Sequence, residues 1–254
     1  MKKTLYYLAF CLVAIAGTSC SKIDNDPAPS NTLKGSTTDA QTGNTVQTEI
    51  GGRGTRVKLI ETSYSNDPTP YYFQSMQDGT FNNTKIFAAT YKVSVEGPFV
   101  PLVQTDDQGN VTSDQSQNVV IKGTNTTTSV NFKVEPFLRV EWVGQPVFNA
   151  DSTVTVQVKV TRGTANASYQ QDVTNINLYV SNTQYDGDNN YDPRYSKLTS
   201  YNGTDGTALL GQTITLTTTS GALPQQDIYF RVGARINAGL DEYNYSTPVS
   251  IKYP

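Results

Sequence analysis

Along most of this 254-residue chain, apolar side chains recur at every second position. That period fits an extended strand, which presents alternate residues to opposite faces, and does not fit a helix. Val57 and Leu59 alternate with Arg56 and Lys58, and Tyr91, Val93 and Val95 alternate with Lys92, Ser94 and Glu96. Val130, Phe132 and Val134 repeat the pattern, as do Val154, Val156, Val158 and Val160. Ile176, Leu178 and Val180 follow it, and so do Ile228, Phe230, Val232, Ala234 and Ile236. One apolar and one wet face per strand marks antiparallel sheets packed as sandwiches. Turn residues punctuate the runs at Thr42-Gly43-Asn44, Gln77-Asp78-Gly79, Gln108-Gly109-Asn110 and Asn202-Gly203. No stretch after residue 20 carries a sustained helical stripe. The expected fold class is all-β, with two tandem β-sandwich domains.

Glu135-Pro136 marks the expected division. A strand ending at Val134 closes one unit, 32–135, and Leu138, Val140 and Trp142 open another, 136–254. The second unit has about seven strand candidates, which fits an immunoglobulin-like or fibronectin-like sandwich. Trp142 is the one tryptophan and has the apolar parity of its strand. That reads as core packing, with a ligand platform as the alternative. Arg139, Arg231 and Arg235 have the wet parity and are expected on exposed faces as salt-bridge partners. Tyr71-Tyr72-Phe73 follows the loop Asn66-Asp67-Pro68-Thr69-Pro70, and alternation is expected to turn Tyr72 inward.

The N-terminus has the order of a secretory signal. Lys2 and Lys3 precede the apolar run 5–16, and Gly17-Thr18-Ser19 leads to Cys20. The run is shorter than the roughly 18–20 residues of a membrane span. The stretch ending at Cys20 resembles a bacterial lipobox, with Gly17 where Leu is usual. The resemblance implies that residues 1–19 are a signal peptide and that Cys20 is acylated. The alternative is an ordinary signal peptide with an incidental cysteine. Residues 20–31 are polar, contain Pro27 and Pro29, and read as a tether. Asp24 and Asp26 resemble part of the surface-export signal of Bacteroidetes lipoproteins. The expected location is the outer membrane, lipid-anchored and facing outward.

Cys11 and Cys20 are the only cysteines, so a chain cleaved before Cys20 has no internal disulfide and is held by core burial and strand pairing. The net charge of −3, without a basic block, argues against a nucleic-acid partner. There is no histidine, which removes Ser-His-Asp and Cys-His catalysis and the commonest metal ligand. The carboxylates lie mostly in turns or on wet faces, and none are marked as a catalytic pair. The chain is therefore expected not to be an enzyme.

The stretch 185–201 stands out as a long loop, and long loops inside compact domains are often functional. It holds Tyr185, Tyr191, Tyr195 and Tyr201 among Asp188, Asn190 and Arg194. A tyrosine offers a flat apolar face to a sugar ring, and Asp, Asn and Arg serve its hydroxyls. These seven residues are the candidate glycan site. The alternative is a solvated loop whose tyrosines cover the sandwich edge. Asp186, Asp188, Asn190 and Asp192 also place oxygen ligands at alternate positions, a candidate for structural calcium, although the EF-hand Gly and Glu are missing. An Asp/Asn turn cluster is the alternative. No other cofactor is expected.

Several motifs fall in a recognisable order in the first unit. They are Lys34-Gly35-Ser36 with Asp39 and Thr42-Gly43, then Val57-Lys58-Leu59, Gln77-Asp78-Gly79-Thr80-Phe81, and Phe87-Ala88-Ala89-Thr90-Tyr91-Lys92-Val93. This unit resembles the carboxypeptidase-regulatory-like, or transthyretin-like, domain. With Glu96-Gly97-Pro98-Phe99, Val134-Glu135-Pro136-Phe137-Leu138-Arg139-Val140 and Tyr229-Phe230-Arg231-Val232-Gly233-Ala234-Arg235, the whole resembles a two-domain Bacteroidetes lipoprotein family of unknown function. The resemblance implies an accessory, glycan-binding role in a polysaccharide-utilisation system, beside an outer-membrane glycan transporter. It brings no catalytic residues. The alternative is a structural or adhesive spacer contacting protein partners.

Overall fold

The computed structural model describes residues 27–64, 66–219, 223–224 and 226–252. The expected signal peptide, Cys20, Asp24 and Asp26 lie outside the described residues. The first domain comprises β1 (Asn31–Asp39), β2 (Arg56–Glu61), β3 (Tyr71–Gln74), β4 (Thr80–Ile86) and β5 (Ala89–Glu96). It continues with β6 (Val103–Thr105), β7 (Val111–Asp114), β8 (Gln117–Ile121) and β9 (Thr127–Val134). One sheet has the order β4-β1-β9 and faces a second of order β3-β2-β5-β8, with β6-β7 as a separate hairpin. All pairings are antiparallel except β1 with β9, which runs parallel from Thr32↔Thr127 to Asp39↔Val134. Leu33, Val57, Leu59, Phe81, Val93, Val95 and Phe132 fill the space between the sheets.

The second domain comprises β10 (Leu138–Trp142), β11 (Val147–Phe148), β12 (Val154–Arg162) and β13 (Val173–Ser181). Then come β14 (Thr213–Thr217), β15 (Asp227–Ile236), β16 (Asn244–Tyr245) and β17 (Val249–Lys252). In one sheet β12 pairs with β10, β11 and β14; in the other, β15 pairs with β13, β16 and β17. All of these pairs are antiparallel. The apolar set of the alternating runs, from Val154 to Val160, Ile176 to Val180 and Ile228 to Ile236, forms a single buried core. Both domains are thus β-sandwiches whose inner faces are the apolar parity of the sequence.

Two expectations on parity are corrected. Phe73 packs against the first core with its ring edge-on to Phe81 at 6.0 Å, so Tyr72 faces outward, under the Arg56 guanidinium at 4.4 Å. Three successive aromatics carry no internal mark of register, and a one-residue slip exchanges the faces. Arg231 is fully buried rather than on a wet face. The outer face of β13 and β15 is itself covered, by a second cluster of Tyr179, Tyr243 and Tyr245. Burial of both faces is what alternation cannot announce.

Candidate functional site

The loop 182–206 leaves β13 at Ser181 and turns back along the same strand. Leu178 and Lys197 exchange two backbone hydrogen bonds of 2.8 Å, and the Tyr201 N–H donates to the Thr174 carbonyl at 2.8 Å. A sheet edge that would otherwise expose unpaired backbone groups is covered in this way. The four tyrosines of the loop do not share a surface. Tyr195 is 8 % exposed and belongs to the second core, and Tyr201 is half-buried against it. Tyr191 packs on Tyr179 at 5.5 Å, and Tyr185 alone is exposed, at 50 %. The polar members are also engaged. Arg194 donates to Asp192 at 2.6–3.2 Å, the Asn190 amide donates to the Tyr185 carbonyl at 2.7 Å, and Asp188 accepts from Arg53 at 2.5 Å.

A four-ring platform is therefore not present, because Tyr195 and Tyr201 pack on the second core and Tyr191 packs on Tyr179. Of the alternating oxygens of the calcium expectation, Asp192 pairs with Arg194 and Asp188 with Arg53, while Asp186 is buried without a hydrogen-bond partner. Among the described residues, no group of three or more His, Cys, Asp or Glu is placed to hold a metal ion.

What the loop does contact is the first domain. Arg53 reaches Asp188, the Asn189 amide donates to the Ile50 carbonyl, and the Gln77 amide donates to the Gln184 carbonyl at 2.5 Å. Beneath them the Tyr245 hydroxyl donates to buried Glu49 at 2.7 Å, and Tyr179 donates to Asp188 at 3.1 Å. Arg231 lies over the Tyr245 ring at 4.2 Å and donates to the Ser246 and Asp186 carbonyls at 3.0 Å. Burial dominates the ionisation of this layer. It pushes Asp186 up to about 7 against the pull of the Arg231 charge, and it lowers Arg231 to about 10. Glu49 is raised by burial, with the Asp188 charge adding to the effect and the Tyr245 hydrogen bond opposing it.

Beside this layer the two domains leave a cleft of about 260 Å³. Its first-domain wall is the C-terminal end of β1, at Asp39, and the turn that follows, with Asn44 and Gln47. Its second-domain wall is β10, with Arg139, Glu141 and Trp142, and the segment after β16. An ion pair fixes the walls together. Arg139 donates to both Asp39 oxygens, at 2.5 and 2.9 Å, and to the Arg162 and Gly163 carbonyls at 2.9 and 2.8 Å. Burial alone would raise Asp39, but the Arg139 hydrogen bonds and charge outweigh it and hold the carboxyl below its ordinary value. Asn244 ties the domains again, accepting from the Leu138 N–H at 3.0 Å and donating to the Pro98 carbonyl at 2.9 Å.

Arg139 and Asn244 are thereby engaged in holding the domains, and Trp142, Asn44, Gln47 and Glu141 are among the other groups lining the cleft. The indole N–H of Trp142 donates to the Thr247 carbonyl at 2.8 Å. Its ring is half-buried, packing partly on the second core and partly lining the cleft. The expectation of core packing for Trp142 thus holds for part of its surface. Asn44 and Glu141 are exposed, and Gln47 is half-exposed. An anchored indole ringed by carboxamides and a carboxylate can stack on an apolar ring face and exchange hydrogen bonds with hydroxyls. The sequence held these residues in two segments about a hundred positions apart, with nothing to mark them as neighbours.

Residues 31–135 match the family described as "Protein of unknown function (DUF3823) N-terminal domain", and residues 144–250 match "Domain of unknown function (DUF3823_C)". A crystal structure of a DUF3823 family protein from Bacteroides uniformis is 34% identical, with a TM-score of 0.80 over 90% of this chain and 100% of that one. Another, from Parabacteroides merdae, is 23% identical with a TM-score of 0.65, over 89% of this chain and 100% of that one. A third, described as a "putative carbohydrate binding protein" from Bacteroides uniformis, has the same identity, 23%, coverage of 89% and 100%, and a TM-score of 0.65. No curated protein matches the chain.

Proposed function

The chain belongs to the DUF3823 family, and from that premise we propose that it is a non-catalytic glycan-binding lipoprotein of the outer membrane. It is held by acylated Cys20, faces outward, and captures oligosaccharide for a neighbouring transporter of a polysaccharide-utilisation system. The observation that carries the reading is the interdomain cleft, in which Trp142 stands among Asn44, Gln47 and Glu141. The absence of histidine supports binding rather than turnover. The carbohydrate-binding description of one relative points the same way.

Trp142 is the only tryptophan, so its fluorescence reports the cleft directly. Affinity electrophoresis against a panel of polysaccharides is expected to show retardation by one glycan class. Oligosaccharides of that class are expected to shift the emission. Trp142→Ala should abolish the retardation while the melting temperature changes by only a few degrees. Retardation that survives in Trp142→Ala moves the site elsewhere.

A second reading, a rigid spacer that contacts protein partners, is favoured by the dense polar contacts between the domains. No retardation by any glycan, together with surface crosslinks to another protein, would establish it instead.

A further inference from the structure

A second and larger cavity, about 670 Å³, opens at the opposite end of the first domain. Leu59, Ile86 and Tyr91 form its apolar floor, and Tyr64, Tyr71 and Phe87 stand around it. These three rings are 82 %, 50 % and 51 % exposed. Single exposed apolar residues are ordinary on a protein surface, but three aromatic rings around one apolar groove mark an interaction surface.

The course of the chain says what that surface meets. Pro27 and Pro29 line the same groove, and Cys20 lies seven positions before Pro27. Seven residues reach at most about 24 Å when fully extended. If Cys20 carries lipid, the groove cannot leave the neighbourhood of the bilayer. Aromatic rings, tyrosine above all, favour the headgroup layer, where a ring is half apolar and half wet. Charge agrees. Exposed Lys85 lines the groove, and exposed Lys122 adjoins Gly123 on its rim. The carboxylate of Glu61, also there, accepts from Ser63 and from the Tyr64 N–H within its own loop.

We propose that this aromatic end of the first domain rests on the lipid headgroup layer, with Tyr64, Tyr71 and Phe87 as interfacial contacts and Lys85 and Lys122 facing anionic lipid. The proposal rests on the reading of Cys20 as acylated. It also orients the molecule. Strand β1 runs from Asn31 at the groove to Asp39 at the interdomain cleft. Its rise of about 3.3 Å per residue holds the cleft roughly 26 Å from the groove, pointing away from the membrane.

Two measurements separate the parts. Mass spectrometry of the N-terminal peptide from cells reports whether Cys20 carries lipid; an unmodified peptide overturns the anchor and, with it, the placing of this surface against the bilayer. Sedimentation with vesicles of phosphatidylethanolamine and phosphatidylglycerol then uses the chain 20–254 carrying Cys20→Ser. Its partitioning should rise with phosphatidylglycerol and fall at least tenfold in Tyr64→Ser/Phe87→Ser, whose melting curve should match the parent. Failure of the parent to sediment with either lipid, or equal sedimentation of parent and double variant, overturns the proposal. Loss of polysaccharide retardation in the same double variant would reassign the rings to sugar.

Discussion

Asp186 is a buried carboxyl to which no hydrogen-bond donor is directed, and burial lifts its ionisation to about pH 7. The folded chain therefore holds this proton more tightly than the unfolded chain. The stability that Asp186 contributes is greatest below about pH 4, declines as the pH rises towards 7, and is level above it. Glu242, pushed up to about 7 by burial against the Arg56 charge, acts in the same direction. Asp39 is held low and acts in the opposite direction, losing its contribution only in acid. The urea midpoint should therefore fall between about pH 4 and pH 7, and Asp186→Asn should flatten that fall. An equal fall in the variant would mean that Asp186 is not the titrating group. The Arg139–Asp39 pair carries the opposite lesson. Asp39→Asn leaves a largely buried guanidinium without its counter-charge and should cost about 3 kcal/mol in urea unfolding.

Among elements, β1 makes the heaviest demand on its residue types. It is sandwiched between β4 and β9, and at Gly35 the neighbouring strand comes so close that a Cβ would stand 1.6 Å from the Val130 carbonyl oxygen and 2.7 Å from the Phe81 ring. Gly35 is thus required by close approach. Gly35→Ala should part β1 from β9 and cost about 3 kcal/mol or more, the upper range for overpacking. A loss below about 1 kcal/mol in urea unfolding would show that the strands can shift. The pair β13–β15 shows a different economy. Its inner face is Ile176, Leu178, Phe230 and Val232, while its outer face is Tyr179 and Arg231 under the loop 182–206. Tyrosine suits such a position, since Tyr179 gives its ring to the cluster and its hydroxyl to Asp188.

At the scale of the molecule, the two sandwiches are joined by far more than the peptide at Glu135-Pro136. Arg139 with Asp39, Arg53 with Asp188, Tyr245 with Glu49 and Asn244 with Pro98 all cross the boundary. Relative motion of domains is the usual expectation when an interface is small and polar. Here several of the crossing groups are buried, so separation would strand them unpaired. Calorimetry should accordingly show one cooperative transition. Glu49→Ala combined with Asp39→Asn should split it into two, because each removes a buried partner of a contact that crosses the interface. One sharp transition in the double variant would assign the coupling to other contacts. Rigid coupling also serves the proposed function, since it fixes the cleft walls relative to the groove at the far end of β1.

Much of this was legible from spacing. The parity of Val154, Val156, Val158 and Val160 named the residues of one core, and that of Val57, Leu59, Val93 and Val95 named part of the other. A two-residue period has one structural solution, so burial of one face followed directly. The ordered glycine and turn motifs, including Gly35 and Asp78-Gly79, carried the family resemblance for the same local reason. The function of side chains outside those runs was not legible. Tyr185, Tyr191, Tyr195 and Tyr201 looked alike in sequence, yet one is exposed and one lies in the core. Arg139 and Arg231 shared a parity, yet one pairs across domains and the other is enclosed by tyrosines. Composition and period determined an all-β, two-domain chain, because they act through local geometry. The tertiary structure alone decided which polar groups meet, and with them the Trp142 cleft, because that depends on contacts between residues a hundred positions apart.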